Sequence, residues 1–355
     1  MGAREDRIPM PQEIETNPLS ARRQALLLAT VQEFIATAEP VGSQQIVARH
    51  PLGVRSAMVR NLMAELEDAG YLLQPHTSAG RVPTDKAYRY YVDSLVSRIG
   101  FEDRAQIELH YSTRTRDLDD IMRDTPKLLA LLTGQAALVM GPRLESMMLE
   151  RVNFVRLRER QVLAMFVAAA GQVQNHIVET DHDHSQDELD RMARYLNESL
   201  AGRTLDEARR WIEERLHEER ALYDRFVRDA LALGGAVAEH ASRTELYVDG
   251  SLQAIEQPEF SDPERMRELL RALDDKTALL DLLERSLARR GLTVSIGSEN
   301  DDARLAGLSV IAASYATGAT PVGSLAIVGP VRMDYDRVIP LVEYTAKALS
   351  KLLEH

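Results

Sequence analysis

The sequence of 355 residues contains no cysteine, one tryptophan and only 5% aromatic residues. The absence of cysteine excludes disulfides, thiolate zinc sites, iron–sulfur clusters and cysteine nucleophiles. Long apolar runs are also absent: the longest, residues 162–170, has nine residues, whereas a helix needs ~20 to cross a bilayer. The first six residues contain no apolar signal core. These absences predict a soluble, cytoplasmic protein with no membrane segment, and the length predicts two or three domains.

Motifs for nucleotide and acyl chemistry are absent as well. None of the five lysines follows a glycine, which excludes the Walker phosphate loop. The sequence also has no Gly-x-Ser-x-Gly nucleophile elbow and no Gly-x-Gly-x-x-Gly dinucleotide loop. We therefore expect neither an enzyme nor a cofactor.

One cluster, Asp181-His-Asp-His184, has residue types that bind metal ions. His182 and His184 would share a face only on a strand, and the two carboxylates would then point the other way. A solvated linker before a helix is the favoured interpretation, and a metal-dependent hydrolase is the enzymatic alternative.

The formal net charge is −12, which at first argues against a nucleic-acid partner. Residues 1–98, however, carry 11 basic and 11 acidic side chains, so the whole acidic excess lies in residues 99–355. A near-neutral segment can still carry a basic face, because DNA responds to local charge. The distribution predicts that any DNA contact is confined to the N-terminal end.

The N-terminal segment has the pattern of a helix-turn-helix. Residues 1–18 contain three prolines and no apolar periodicity, so we expect a mobile tail. An amphipathic helix follows, Ser43 is placed to cap a short second helix, and a third helix is predicted from about Arg55 to Ala69, with Gly70 as its left-handed stop. Two short helices joined by a glycine-containing turn are typical of this motif.

The third helix has an apolar stripe and an opposite polar face. The predicted buried stripe consists of Val59, Leu62, Met63 and Leu66. The early polar face presents Arg55, Ser56, Arg60 and Asn61. We expect the N-terminal half of this helix to enter the major groove, where arginine and asparagine can meet base edges.

A hairpin and a fourth helix complete the segment. Residues 71–74 form a predicted strand, and the turn-rich stretch 75–83 places His76 and Arg81 where they can reach phosphates or the minor groove. Thr84 is predicted to cap the fourth helix, whose stripe includes Tyr88 and Tyr91 as core residues. The alternative is an inert packing module whose arginines are solvated.

The remainder has an α+β pattern. Residues 100–134 are predicted to be helical with a break at Pro126, and four short strands follow before residue 181. Capping boxes at Ser185 and Thr204 open helices, the second of which is predicted to run long and to end at Gly234-Gly235. Helices and three strand-like runs alternate from residue 245 to the C-terminus. A helical stretch between strand-rich segments indicates an insertion into an α+β domain.

Several motifs in the sequence are distinctive as a set. The hairpin motif is Gln74-Pro-His-Thr-Ser-Ala-Gly-Arg-Val-Pro-Thr-Asp85, and the others are Pro40-Val-Gly-Ser43, Leu52-Gly-Val54, Val59-Arg-Asn61, Met63-Ala-Glu-Leu-Glu67, Tyr88-Arg-Tyr-Tyr-Val-Asp93, Pro321-Val-Gly-Ser-Leu-Ala-Ile-Val-Gly-Pro330 and Arg332-Met-Asp-Tyr335. Together they resemble the heat-inducible transcription repressor family, HrcA, over nearly the whole chain after the tail. One departure is Leu62, where the family usually has Asp after the Arg-Asn pair, so no polar role carries over to that position.

The resemblance implies a winged helix-turn-helix followed by a GAF-like α+β domain with an inserted helical dimerisation domain. The corresponding boundaries are a tail at 1–18, a winged-helix domain at 19–99, a GAF-like domain in two segments at 100–184 and 244–355, and a helical insertion at 185–243.

The resemblance also implies a function. The protein would be a homodimeric repressor that binds an inverted-repeat operator of chaperone genes, blocks the promoter sterically, and depends on the chaperonin GroEL for its activity. The predicted DNA-contacting residues are Ser43, Arg55, Ser56, Arg60, Asn61, His76, Thr77, Ser78 and Arg81. The alternative is a winged-helix regulator whose GAF-like domain binds a metabolite.

Overall fold

A computed structural model of the chain describes residues 19–76, 79–95, 98–112, 118–143, 148–168, 172–219, 225–241 and 244–354. The chain is a mixed α+β protein with two compact units, of which the first ends at Ser94 and the second begins at Leu95. The predicted mobile tail, residues 1–18, lies outside the described residues. No helix within the described ranges is long and apolar enough to cross a membrane.

The N-terminal unit contains four helices and a two-stranded antiparallel ribbon. In chain order these elements are α1 (Ala21–Thr37), α2 (Ser43–Arg49), α3 (Ser56–Asp68), β1 (Leu72–Leu73), β2 (Val82–Pro83) and α4 (Asp85–Ser94).

The core of the N-terminal unit follows the predicted apolar stripes. On α3, Val59, Met63 and Leu66 are buried as expected, whereas Leu62 is only partly buried. Tyr88 and Tyr91 of α4 are 2% and 4% exposed, which confirms the prediction that both aromatic rings belong to the core. The unit therefore has its own hydrophobic centre, formed by α1, α3 and α4.

The predicted end of α3 and the start of α4 directly after Thr84 are confirmed, whereas the cap predicted for the Thr84 side chain is not. Gly70 has φ +77°, and the Tyr71 amide donates to the Leu66 carbonyl over 2.9 Å, which gives the left-handed helix stop expected from the sequence. Thr84 does not cap α4 through its side chain. Its hydroxyl instead donates to the carbonyls of Gly70 (2.8 Å) and Tyr71 (3.0 Å), because the ribbon brings Thr84 back to the end of α3.

The C-terminal unit contains the remaining helices and two antiparallel sheets. In chain order its elements are α5 (Phe101–Ser112), α6 (Leu118–Thr133), β3 (Ala136–Met140), β4 (Leu149–Arg158), β5 (Gln161–Ala168), β6 (Gln172–Glu179), α7 (Gln186–Leu200), α8 (Leu205–Glu219), α9 (Arg225–Ala241), β7 (Leu246–Asp249), α10 (Ser251–Ile255), α11 (Pro263–Asp274), α12 (Lys276–Arg289), β8 (Leu292–Ile296), β9 (Leu308–Thr317), β10 (Thr320–Pro330) and α13 (Tyr335–Leu353).

The larger sheet has five strands in the order β7-β3-β10-β9-β8, and every neighbouring pair is antiparallel. Side chains alternate between its faces. Leu138 and Met140 of β3 join a core with α10, α11 and α12 on one face. Helices α5, α6 and α13 form a second cluster around Ile107, Leu128 and Leu341. The sheet is thus enclosed by helices in the manner of an α+β domain.

The smaller sheet has the order β4-β5-β6 and packs against the helices that follow it. Its inner face buries Val152, Phe154 and Phe166 beneath α7 and α9. The boundaries implied by the resemblance place β4–β6 in the GAF-like domain, within residues 100–184. In the structure these strands and the helices of residues 186–241 form one module, with α7 and α9 covering the sheet.

Both predicted capping boxes are confirmed. The Ser185 amide donates to Glu188 Oε2 over 2.9 Å, and the Glu188 amide donates to the Ser185 hydroxyl over 3.3 Å. The same exchange links Thr204 and Glu207 at 2.9 and 3.2 Å. Reciprocal side-chain bonds of this kind satisfy amides that a helix start leaves unpaired, so residues within three positions of each other stabilise both starts.

Two helix predictions are wrong. Pro126 does not interrupt the helix but lies buried inside α6, although a proline cannot donate the backbone hydrogen bond of that position. The helix predicted to run from Thr204 to the glycine pair is instead two helices, and α9 continues through Gly234 and its neighbour. A Cβ at Gly234 would lie 3.0 Å from Leu196 Cδ1 and 3.2 Å from Ile212 Cδ1, so the glycine permits a close approach of three helices.

Candidate DNA interface

The start of α3 is held against the start of α2. The hydroxyls of Ser43 and Ser56 lie 3.0 Å apart, and each residue is the first of its helix. The expectation that Ser43 is an N-cap is therefore wrong by one residue, because Gly42 occupies the cap position. Both serines are partly buried, so their first role is to fix the angle at which α3 leaves the turn.

A buried carboxylate fixes α2 on α1. Glu33 is 5% exposed, and its Oε1 accepts hydrogen bonds from Gln45 Nε2 (2.7 Å) and Arg49 Nη1 (2.6 Å). His50 Nε2 lies 3.4 Å from the other carboxylate oxygen. Because a buried charge is costly without partners, this cluster favours one arrangement of the two helices.

The basic side chains of the N-terminal unit differ in whether they form ion pairs. Arg23, Arg49, Arg81 and Arg89 form ion pairs with carboxylates of the same unit. Within the part of the chain that the structure describes, no ion pair involves Arg55 or Arg60, and both are exposed with Asn61 beside them. These three side chains are therefore available to a ligand at the N-terminal half of α3.

The charge of α3 changes sign along the helix. Its N-terminal half, from the preceding Arg55 to Asn61, contains no acidic residue. Its C-terminal half contains Glu65, Glu67 and Asp68. Glu65 and Glu67 are ion-paired with Arg23 and Arg81, whereas the N-terminal half has positive charge and no carboxylate of its own. A polyanion would therefore be attracted most strongly to the N-terminal half, and DNA contact through this half stays a prediction.

The hairpin after α3 is closed by backbone contacts. Val41 and Arg81 exchange two hydrogen bonds of 2.9 Å, and Gln74 Nε2 donates to the Ala79 carbonyl over 3.0 Å. A Cβ on Gly80 would lie 2.5 Å from the Val41 carbonyl carbon, so only glycine fits where the hairpin crosses the segment before α2. The hairpin thus has a fixed base next to α3.

The hairpin side chains that were predicted to contact DNA differ in their exposure and in their partners. His76 is exposed. Arg81 is not free: its Nε donates to Glu67 Oε2 over 2.9 Å, and its side chain is 14% exposed. Thr77 and Ser78 lie outside the described residues. The structure therefore groups Arg55, Arg60 and Asn61 as one exposed set and gives Arg81 a contact between the hairpin and α3.

The Asp181–His184 cluster is bound to other elements. Asp183 accepts hydrogen bonds from the Arg156 guanidinium at 2.5 and 3.2 Å, which lowers the pKa of its carboxyl. His184 is 7% exposed, with Nε2 3.9 Å from Asp229 Oδ2. Across the described ranges, no three His, Asp or Glu side chains come together as a metal site would require.

A cavity in the larger domain tests the metabolite alternative. It lies between α12 and the β8–β9 edge, has a volume of about 80 Å³, and is lined by Ser286, Thr293 and Ser295 among others. An adjoining depression of about 620 Å³ is open to solvent. Ligand pockets are typically ~300–1,000 Å³ and enclose their ligand, so the first space is smaller than a typical ligand pocket and the second does not enclose one.

Sequence reasoning missed two features of the N-terminal unit near these residues. Met58, in the first turn of α3, is 45% exposed although the other large apolar residues of that helix face the core. The Glu33 cluster was also missed. Its signal was an acidic residue at the helical spacing of a buried stripe, three positions after Thr30, which is itself fully buried.

The chain is similar to known proteins over nearly its whole length. A family model for the HrcA protein C-terminal domain matches residues 119–339. The heat-inducible transcription repressor HrcA of Geobacter sulfurreducens is 42% identical over 338 residues, which cover 95% of this chain and 98% of that protein. The repressor of the same name from Syntrophobacter fumaroxidans is 38% identical over 95% of this chain and 98% of its own length.

The fold has a relative of known structure. A crystal structure described only as that of a hypothetical protein aligns with a TM-score of 0.64 at 27% identity, covering 95% of this chain and 99% of the other. Identity above 30% over nearly the full length of both proteins, together with a family match across most of the C-terminal unit, decides the relationship. The chain belongs to the heat-inducible transcription repressor family, HrcA.

Proposed function

We propose that the protein is a DNA-binding transcription repressor of heat-shock genes that encode chaperones, and that its N-terminal unit acts as a winged helix-turn-helix. One observation carries the proposal: Arg55, Arg60 and Asn61 are exposed together on the acid-free half of α3. Arginine recognises guanine and asparagine recognises adenine by paired hydrogen bonds in the major groove. Occupation of the promoter by the bound protein blocks transcription sterically.

The remaining predicted residues have supporting roles. Ser43 and Ser56 set the angle of α3 and retain hydroxyls for a phosphate. His76 lies on the hairpin, which acts as the wing, and the adjacent Thr77 and Ser78 are proposed phosphate contacts. Arg81 positions the wing through Glu67 rather than reaching DNA first.

A binding measurement tests the proposal. In a gel shift with an inverted-repeat promoter fragment, Arg60→Ala weakens specific binding by about 1–3 kcal/mol if the side chain reads a base. Arg267→Ala, an exposed arginine of α11, is the matched control and leaves the affinity unchanged. Equal affinity of the Arg60 variant and the wild type would remove Arg60 from the interface.

We also propose a homodimer, formed through the module of residues 148–241, which is inserted into a GAF-like domain built on the five-stranded sheet. The outer face of β4–β6 supports this assignment. Val155, Val173 and Ile177 are 38–53% exposed there, and Val155, Leu163 and Ile177 lie side by side across the three strands. A two-fold axis through such an apolar face buries the same patch on both copies.

Sedimentation tests the dimer. Ile177→Asp places a charge in the centre of the outer face and yields monomers at micromolar concentration, because an unpaired buried charge is costly. Leu252→Asp, at a 73% exposed leucine of α10, is the control and stays dimeric. An Ile177 variant that remained dimeric would place the interface elsewhere.

Family membership further supports dependence on the chaperonin GroEL and action in the cytoplasm, where DNA and chaperonin are found. Unfolded proteins that occupy the chaperonin during heat stress would lower the active fraction of a marginally stable repressor. Denatured protein refolded with GroEL, its co-chaperonin and ATP then recovers more operator binding than protein refolded alone. Equal recovery contradicts this part of the proposal.

A further inference from the structure

The exposed face of α3 contains an apolar edge as well as polar groups. Met58 is 45% exposed in the first turn, and Leu62, one turn later on the same side, is only partly buried. An isolated exposed apolar residue needs no explanation. Here the exposed Met58 and the partly buried Leu62 lie one helical turn apart. They are flanked by Arg55 and Asn61, the side chains proposed to meet base edges.

In the major groove, the apolar group that distinguishes one base from the others is the C5-methyl of thymine. We propose that Met58, supported by Leu62, is a specificity-determining residue that contacts a thymine methyl group in each operator half-site. This inference rests on the proposed function, and it names the base that this part of α3 reads. Methionine suits the contact because its unbranched thioether chain adapts to an irregular surface.

The geometry restricts the contact to this helix edge. The carboxylates of α3 all lie in its C-terminal half and none lies near Met58, so the proposed contact with the duplex uses the turn that contains Met58. The position of Met58 between Arg55 and Asn61 places it within the stretch that spans adjacent base pairs. Removal of the methyl group from DNA, or of the thioether chain from the protein, therefore affects the same contact.

A double substitution experiment tests this inference. The purified full chain selects sequences from a random duplex library. The selected pool is then amplified either with thymidine triphosphate or with deoxyuridine triphosphate, which lacks only the C5-methyl group of the base. Competition between the pools gives the thymine preference. The wild type prefers the thymine pool by about fourfold per half-site, equivalent to ~0.8 kcal/mol for one buried methyl at ~1.4 kcal/mol per factor of ten.

The variants separate this contact from a general effect of the methyl group on DNA. Met58→Ala reduces the thymine preference by about fourfold per half-site, and Met58→Leu retains part of it. Val47→Ala, at a 39% exposed apolar residue of α2, keeps the wild-type preference. Thermal melts of all three variants confirm that they are folded.

The outcomes distinguish this inference from the function on which it rests. If no inverted repeat is enriched from the library, the proposed function fails. If an inverted repeat is enriched but the wild type binds both pools equally, or Met58→Ala retains the full preference, the assignment of Met58 is overturned while the repressor function stands.

Discussion

At the residue scale, charged side chains of this protein differ in whether a partner already satisfies them. Glu33 and Arg81 are committed to contacts inside the N-terminal unit, and Arg55 and Arg60 are not. Pairing could not be inferred from the sequence, because Arg81 and Glu67 are 14 positions apart and meet only when the hairpin folds back on α3. The residue types of the proposed interface were predictable from the sequence, but which of them lack an ion-pair partner was not.

A pH prediction belongs to this scale. Hydrogen bonds from the Arg304 side chain lower the pKa of Asp302 to about 2. A carboxyl whose pKa is depressed by folding contributes stability above its ordinary pKa near ~3.8, and loses that contribution as the pH falls towards 2. Asp302→Asn therefore shows a shallower loss of stability between pH 5 and pH 2 than the wild type.

Thermal melts across that pH range measure the difference. Asp301→Asn, at the exposed neighbouring residue, serves as the control and follows the wild-type curve. A wild-type slope in the Asp302 variant would show that the ion pair contributes nothing to acid stability.

At the element scale, close approaches that glycine permits give two testable predictions, one at the hairpin and one in α9. Gly80 lies where the hairpin meets the segment before α2, and a Cβ there would come within 2.6 Å of both Pro40 and Val41 backbone oxygens. Gly80→Ala forces backbone atoms apart, so we expect a loss of about 1–3 kcal/mol in stability. Operator affinity falls as well, although Gly80 itself touches no base.

Gly42→Ala is the matched control, since a Cβ at Gly42 meets nothing within 4 Å. Chemical denaturation and gel shifts on both variants measure stability and binding separately. Full stability of Gly80→Ala would mean that the hairpin shifts without cost and that its base is not fixed.

The glycine pair in α9 gives a second element-scale prediction. Alanine is favoured over glycine inside a helix by about 1 kcal/mol. A Cβ at Gly235 comes no nearer than 3.5 Å to Ile212, so Gly235→Ala stabilises the protein by about 0.5–1 kcal/mol. Gly234→Ala gains less, because its Cβ would crowd Leu196 at 3.0 Å. Denaturant unfolding compares them, and an equal gain in both would contradict the packing argument.

These elements also show what sequence patterns can predict. Helix starts that are marked by a capping box, such as Ser185 with Glu188, were predicted correctly because the capping bonds lie within four residues. The pairings within β4–β6 are local, but the separation of these strands from the larger sheet was not predictable, because β3 of that sheet pairs with β7 and β10, which lie about 100 or more residues further along the chain. The same limit explains Gly234, whose neighbours lie on two other helices.

At the scale of the whole molecule, the proposed homodimer brings two copies of α3 to one duplex. Inverted repeats then match the protein only when their half-sites face the same side of the duplex, which repeats every ~10.5 base pairs. Insertion of five base pairs between the half-sites rotates one of them to the opposite side. We expect operator affinity to fall by about 100-fold or more, because only one half-site can then be engaged.

Gel shifts with the native and extended operators measure this effect, and substitutions of five base pairs at the same place, without insertion, provide the control. Equal binding of both lengths would mean that the half-sites are bound independently.

The distribution of ion pairs along α3 affects how the protein meets its target as well as how it is held there. At the acidic end of this 13-residue helix, Glu65 and Glu67 are paired with Arg23 and Arg81, whereas Arg55 and Arg60 at its start form no ion pair among the described residues. The uncompensated positive charge of the proposed interface is thus concentrated at one end of the helix, and the field of the phosphates attracts that end before any atoms touch. For the proposed interface we therefore expect the productive encounters to be those in which the start of α3 leads.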